Sequence, residues 1–145
     1  PTRPEDRDLN MRMMNRIEAI PLESMRQGMR WDWESFPEYL DSLERQGLGV
    51  NVGPMFPYSP LRGYVLGMKE ARHRTAVTDA EMNQMKQLFY EGMKAGAFGF
   101  SLDKNREDRA EDPQYGSLVM WITSNSASSR ACSSSFKIPP KSFIF

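Results

Sequence analysis

Two groups of polar side chains follow predicted strands of this chain and are the candidates for a binding site. The candidates are Ser59 and Arg62 in the first group, and Ser101, Asp103, Lys104 and Arg106 in the second. In folds of alternating strands and helices, ligands bind at the carboxyl ends of the strands. The guanidinium of Arg62 could hold a substrate carboxylate through two N–H groups, or it could form a structural ion pair. The alternative for the second group is a solvated loop with balanced charges.

The residue types that bind metals and nucleotides do not form a recognisable motif here, and no catalytic residue is identified. His73 is the only histidine and lies between two arginines, which favours a solvated residue over a ligand. The sequence contains no H-x-H, H-E-x-x-H or C-x-x-C, and Cys132 stands alone in a serine-rich stretch. We therefore expect no metal to be bound by this chain alone. The glycines at 47–49 and 96–99 follow helices, whereas a phosphate-binding loop precedes one.

A helix followed by a strand is predicted from Thr78 to Leu102, directly before the second candidate group. Thr78 and Glu81 have the spacing of a capping box, and Gly96 supplies a helix end. The apolar face of this helix comprises Met82, Met85, Leu88, Phe89 and Met93. The apolar run after Gly96 predicts a buried strand that ends near Ser101.

A similar unit comes earlier in the chain. Ser35 and Glu38 form a second capping-box pattern, and Gly47 ends the predicted helix. The segment Leu48–Gly53 is predicted to be a strand, and the proline- and glycine-rich stretch 53–63 a loop. One or two helical turns are expected from Tyr64 to Met68. Two helix-and-strand units predict an α/β fold with parallel strands.

Three aromatic residues precede the first of these helices, within Trp31-Asp32-Trp33-Glu34-Ser35-Phe36. Their acidic neighbours do not suit nucleic acid, where basic residues accompany stacking rings. The segment is interpreted as a hydrophobic anchor that fixes the start of the helix, with an aromatic wall of a ligand site as the alternative.

The 145 residues divide into three regions by composition. Residues 1–30 are charged and rich in methionine, with a helix expected from Asp8 to Glu18. The methionines are expected to fill the core, with a metal-binding or partner-binding surface as the alternative. Residues 31–112 form the α/β region. Residues 113–145 are rich in serine and are expected to be a poorly ordered tail or sequence of different origin, with one short strand from Leu118 to Ile122. A net charge of zero and the lack of a long apolar run predict a cytoplasmic protein with no nucleic-acid or membrane partner.

Five segments of the chain resemble the N-acyl-D-amino-acid deacylase branch of the amidohydrolase superfamily. These segments are Trp31–Asp41, Val50–Gly53, Pro60–Gly67, Thr78–Met82 and Ala95–Ser101. The resemblance implies that residues 31–112 are a partial (β/α)₈ TIM barrel of about two βα units. It also implies zinc in the full-length family, with ligands on strands that this chain lacks. Family members often have Gly-His before the Leu-Arg, where this chain has Tyr58-Ser59-Pro60.

The resemblance therefore implies a fragment of a metal-dependent hydrolase that cleaves a non-peptide C–N amide bond. Its substrate would be a small N-acyl amino acid or a related amide, and the isolated chain would be inactive. The alternative is a non-catalytic α/β module that acts by interaction, because two strands leave sheet edges unpaired.

Overall fold

The structure is a computed structural model that describes residues 1–71, 74, 76–102, 109–112, 116–119 and 143–144. After a 3₁₀ turn at Pro4–Asp6, the helices are α1 Arg7–Glu18, α2 Leu22–Gly28, α3 Phe36–Gln46, α4 Tyr58–Leu66, α5 Met68–Ala71 and α6 Asp79–Ala95. The strands are β1 Met55–Pro57, β2 Gly99–Ser101, β3 Arg109–Asp112, β4 Gly116–Val119 and β5 Phe143–Ile144. Among the described helices, none has the length and apolar character needed to cross a membrane.

The strands form a small parallel sheet and a separate hairpin. β1 pairs with β2 in parallel, and β5 pairs in parallel with the other edge of β2. In the register of the first pair, Met55 lies opposite Gly99 and Pro57 opposite Ser101. β3 and β4 form an antiparallel pair. The described part of the chain is thus a mixed α/β fold, mostly helical, with a small parallel sheet.

Both predicted capping boxes are present. The Ser35 hydroxyl accepts a hydrogen bond from the backbone N–H of Glu38 at 3.3 Å, and the Glu38 carboxylate accepts one from the N–H of Ser35 at 2.8 Å. Thr78 and Glu81 make the same reciprocal pair at the start of α6. Gly96 ends α6 at a φ of 118°, a left-handed conformation that favours glycine. The predicted starts of α3 and α6 and the end of α6 are confirmed.

The core lies between the sheet and helices α3 and α6. Phe56 and Phe100 project from the middle of β1 and β2 and contact Phe89 of α6, with ring centroids 5.7 and 5.2 Å apart. Gly92 allows α6 to approach β1 closely, because a Cβ at that position would lie 2.3 Å from the ring of Phe56. Helices α3 and α6 therefore cover one face of the sheet.

The predicted strand over Leu48–Gly53 is wrong. These residues form no strand, and Leu48, Val50 and Val52 are exposed, Val50 by 73%. The neighbouring strand β2 begins only at Gly99, which pairs with Met55. Residues 48–53 thus lie beyond the end of their potential partner, and without a partner an alternating apolar pattern forms no strand. The first strand is β1, two residues further along the chain.

The predicted loop over residues 53–63 is also wrong, because strand β1 occupies Met55–Pro57 and a helix follows it. Helix α4 begins at Tyr58, immediately after β1, and extends to Leu66. Pro60 lies in the first turn, where a missing backbone N–H costs nothing. Burial of Tyr58, Leu61 and Leu66 stabilises a helix that the proline and glycine content concealed. Gly67 follows α4 at a φ of 86°.

The amino-terminal helix predicted over Asp8–Glu18 is confirmed as α1. Met13 of α1 and Met68 of α5 form a second, smaller core with Leu9, which agrees with the interpretation of methionines as core residues. In the carboxyl-terminal region, β4 overlaps the predicted strand Leu118–Ile122 at two residues. Residues 120–142 of that region lie outside the described part of the chain.

Candidate functional site

The carboxyl ends of β1 and β2 lie side by side. Ser101, the last residue of β2, is opposite Pro57, the last residue of β1, and Ser59 follows in the first turn of α4. Ser59 and Ser101 are both half-buried. The structure therefore brings two of the candidate residues to one edge of the sheet. Asp103, Lys104, Arg106 and His73 lie outside the described residues.

Arg62 is buried in α4, with 5% of its surface exposed. Its Nε donates to the carbonyl oxygen of Ala71 at 3.4 Å, and its Nη2 donates to the carbonyl oxygen of Arg74. Nη1 is buried and has no hydrogen-bond partner among the described residues. In the part of the chain that the structure describes, Arg62 thus binds backbone carbonyls instead of the carboxylate expected for an ion pair. This arrangement favours a structural role, in which Arg62 holds the chain between α5 and α6.

The side chain of Arg74 continues this connection to α6. Two guanidinium nitrogens of Arg74 donate to the two carboxylate oxygens of Glu81, at 2.6 and 2.8 Å. Glu81 also accepts hydrogen bonds from the backbone N–H and the hydroxyl of Thr78. The bonds from Arg74, and then those from Thr78, lower the pKa of Glu81 to about 2. Glu81 therefore joins the capping box to the segment held by Arg62.

A cavity of about 340 Å³ lies beside β1, between α1 and the residues that precede α3. We call it the tryptophan cavity. Aromatic side chains form one wall, and the rest of the lining consists of methionines and prolines together with the polar residues Thr2 and Asn10. The aromatic residues are Trp31, Trp33, Phe36 and Tyr39, and the methionines are Met13, Met14, Met29 and Met55. Pro57 and Pro60 extend the lining to the carboxyl end of β1.

The aromatic wall is internally packed. The rings of Trp31 and Trp33 stack at 5.2 Å, and Tyr39 meets Trp33 edge to face at 5.0 Å. Trp31 has a φ of 41°, a left-handed conformation that is strained for a bulky side chain. Its indole nitrogen is buried and lacks a partner within the described residues. Stacking and burial must offset both costs, so Trp31 is held by its packing.

Four hydrogen bonds hold the segment that forms this wall. Asp32 accepts hydrogen bonds from Ser42 at 2.5 Å and from Arg45 at 2.9 Å, both on α3, and these bonds lower the pKa of Asp32 to about 2. Arg7 of α1 donates to the carbonyl oxygen of Trp33 at 3.0 Å. The backbone N–H of Thr2 donates to the carbonyl oxygen of Glu34 at 2.8 Å. The wall is therefore attached to both α1 and α3.

Both interpretations of the aromatic segment describe part of what is observed. Phe36 is buried in the main core and fixes the start of α3, as expected of an anchor. Trp31 and Trp33 form a wall of a cavity, which was the alternative. Sequence reasoning missed that methionines complete the lining of this cavity. The signal was present in Met13, Met14 and Met29, but the sequence does not show that α1 packs beside residues 31–39.

The described residues do not provide a metal centre. Among residues 1–71, 74 and 76–102, no group of three histidine, cysteine, aspartate or glutamate side chains could hold a metal ion. The donor set of these residues therefore does not fit the zinc that the family resemblance implies.

Comparisons with known proteins give partial similarities. The chain is 33% identical over 105 residues to uncharacterized proteins of Mycobacterium tuberculosis and Mycobacterium bovis, an alignment that covers 67% of this chain and 17% of each relative. It is 35% identical over 81 residues to a D-aminoacylase of Alcaligenes xylosoxydans, covering 56% of this chain and 16% of that enzyme. The chain thus spans about a sixth of the length of these curated relatives. No family model and no solved structure matches.

Proposed function

We propose that this chain is part of a hydrolase that resembles the D-aminoacylases and cleaves a C–N amide bond other than a peptide bond. The observation that carries the proposal is the 35% identity over 81 residues with the Alcaligenes D-aminoacylase. The parallel pairing of β1 and β2 and the helices α4 to α6 between them support it, because this is how one unit of a (β/α)₈ barrel is connected.

Within this proposal the chain provides scaffold and loops, and the metal ligands come from other parts of a longer protein. In such an enzyme zinc would be held by residues outside the described part of this chain, and it would supply the Lewis acid that activates water for attack on an amide. The chain's own residues near the substrate would be Ser59 and Ser101, which lie at the carboxyl edge of the sheet. The substrate class proposed is a small N-acyl amino acid or a related amide.

The experiment that tests the proposal has two parts. The first is to assay the purified chain with N-acetyl-D-amino acids and added zinc, with a D-aminoacylase as the positive control. We expect no turnover from this chain, because its described residues bring no three metal-ligating side chains together. Turnover by the chain would contradict the assignment of the ligands to other sequence.

The second part is to read the gene that encodes this segment. A longer open frame with codons for His-x-His before this segment would support the amidohydrolase proposal. A continuous frame of full length without a histidine pair would contradict it and would favour the non-catalytic interaction module.

A further inference from the structure

The tryptophan cavity has an uncharged lining. Among the described residues that line it, none has an aspartate, glutamate, lysine, arginine or histidine side chain. Moving a charged group into such a site without a partner is strongly unfavourable. The lining therefore selects a neutral guest.

The size of the cavity fits a small organic group. A dry apolar cavity of roughly 150 Å³ accommodates benzene, and ligand pockets in proteins begin at roughly 300 Å³. The tryptophan cavity, at about 340 Å³, lies at the lower end of that range. A single ring with one or two substituents fits this volume.

The residue types of the lining favour an aromatic guest over an aliphatic one. Methionine sulfur makes favourable contacts with aromatic rings, worth about 0.3–1.5 kcal/mol each. Edge-to-face contacts between aromatic rings add about 0.5–1.5 kcal/mol beyond the area that they bury. Met13, Met14 and Met29 offer the first kind of contact, and Trp33 and Tyr39 the second. An alkyl chain of equal size would gain neither.

The aromatic wall is also held in place by hydrogen bonds in the absence of a ligand. Asp32 attaches the backbone between Trp31 and Trp33 to α3, and Arg7 attaches it to α1. A site that needs little ordering on binding loses less conformational entropy than a flexible one. We propose that the tryptophan cavity is a binding site for a neutral aryl group of a small molecule.

The test is fluorine NMR of the folded chain with three fluorinated probes of similar size. The probes are para-fluorotoluene as the neutral aryl compound, para-fluorobenzoate as its charged analogue and fluorohexane as the alkyl compound. We expect saturable binding of para-fluorotoluene and at least about ten-fold weaker binding of the other two, since a factor of ten corresponds to only about 1.4 kcal/mol. Equal or tighter binding of fluorohexane or of the benzoate would overturn the proposal, as would no binding of the toluene to folded chain.

Two matched variants locate the binding. Met14→Trp places a larger side chain in the cavity and should abolish binding of para-fluorotoluene, whereas Met11→Trp makes the same change on α1 at a half-buried position outside the lining. Circular dichroism checks that both variants keep their helices. Loss of binding in Met14→Trp alone supports the assignment, and unchanged binding in Met14→Trp overturns it.

A third variant, Trp33→Leu, tests the chemical class without filling the cavity. It should weaken binding of para-fluorotoluene more than binding of fluorohexane, because only the aryl guest loses a ring contact. An equal loss for both probes would contradict the aromatic preference. None of these measurements depends on hydrolase activity, so the outcome is independent of the proposed function.

Discussion

At the scale of single residues, Glu81 shows what a sequence pattern reveals and what it leaves out. The spacing of Thr78 and Glu81 predicts the capping box, and the structure contains it. The two hydrogen bonds from Arg74 are not apparent from the pattern, because they depend on the position of the segment between α5 and α6, where Arg62 binds the carbonyl oxygen of Arg74. Local spacing thus predicts a helix start, whereas contacts between elements depend on how the chain folds back.

The depressed pKa of Glu81 predicts a pH dependence of stability. A carboxyl whose pKa falls from 4.5 to about 2 on folding stabilises the fold fully above pH 4.5, and the contribution is lost as the pH falls towards 2. Urea unfolding at several pH values should show this acid-side loss. Glu81→Gln should lower stability at neutral pH and reduce the loss below pH 4.5. The control, Glu91→Gln, changes an exposed residue of the same helix and should keep the dependence.

Replacing Arg62 by methionine tests its structural role. Two carbonyl oxygens would lose their donor, and an unsatisfied buried polar group costs about 1–3 kcal/mol. We expect the free energy of unfolding to fall by about that amount. The exposed Arg30→Met is the matched control and should change little. Equal stability of the two variants would show that the carbonyl contacts contribute nothing.

At the scale of elements, the close contact between α6 and β1 is the most specific feature of the core. Gly92→Ala would place a Cβ 2.3 Å from a carbon of Phe56, within a ring that is 1% exposed and has little room to move. Overpacking of this kind costs about 1–3 kcal/mol, which thermal or urea unfolding would detect. Gly28→Ala in α2 meets nothing within 4 Å and should leave stability unchanged or slightly higher. A stable Gly92→Ala variant would contradict this packing.

The sequence predicts a helix correctly where the capping residues and the apolar face lie within the helix itself. It fails for the first strand, because the position of a strand depends on the neighbouring strand with which it pairs. Capping residues, an apolar face and a terminal glycine specify α3 and α6 locally. Leu48, Val50 and Val52 alternate as a strand would, but the position of β2 decides which residues pair. The Trp33 side of the cavity was foreseeable as an aromatic cluster, whereas its methionine side depends on the packing of α1 beside it.

At the scale of the whole molecule, two cores of unequal size hold the described residues together. The larger includes Phe36, Phe56, Phe89 and Phe100, and the smaller joins Met13, Met68 and Leu9. Few apolar contacts imply a low free energy of local opening. The ion pair between Arg26 and Asp8 that links α2 to α1 is exposed, so it adds little.

Hydrogen exchange should reveal this difference. We expect the backbone amide of Phe89, in the middle of α6, to exchange among the slowest of the described residues, and amides of α2 to exchange much faster. Mass spectrometry of exchanged peptides or NMR would measure both. Similar protection in α2 and α6 would show that α2 opens only together with the main core.

The stacked indoles of Trp31 and Trp33 have an optical consequence. Two such chromophores held 5.2 Å apart and 25° from parallel couple their electronic transitions and give the chain a circular dichroism band in the aromatic region. Any change in the relative orientation of the two rings alters the sign or intensity of that band. The chain therefore carries a built-in spectroscopic reporter, readable without a label, of the geometry of the segment before α3.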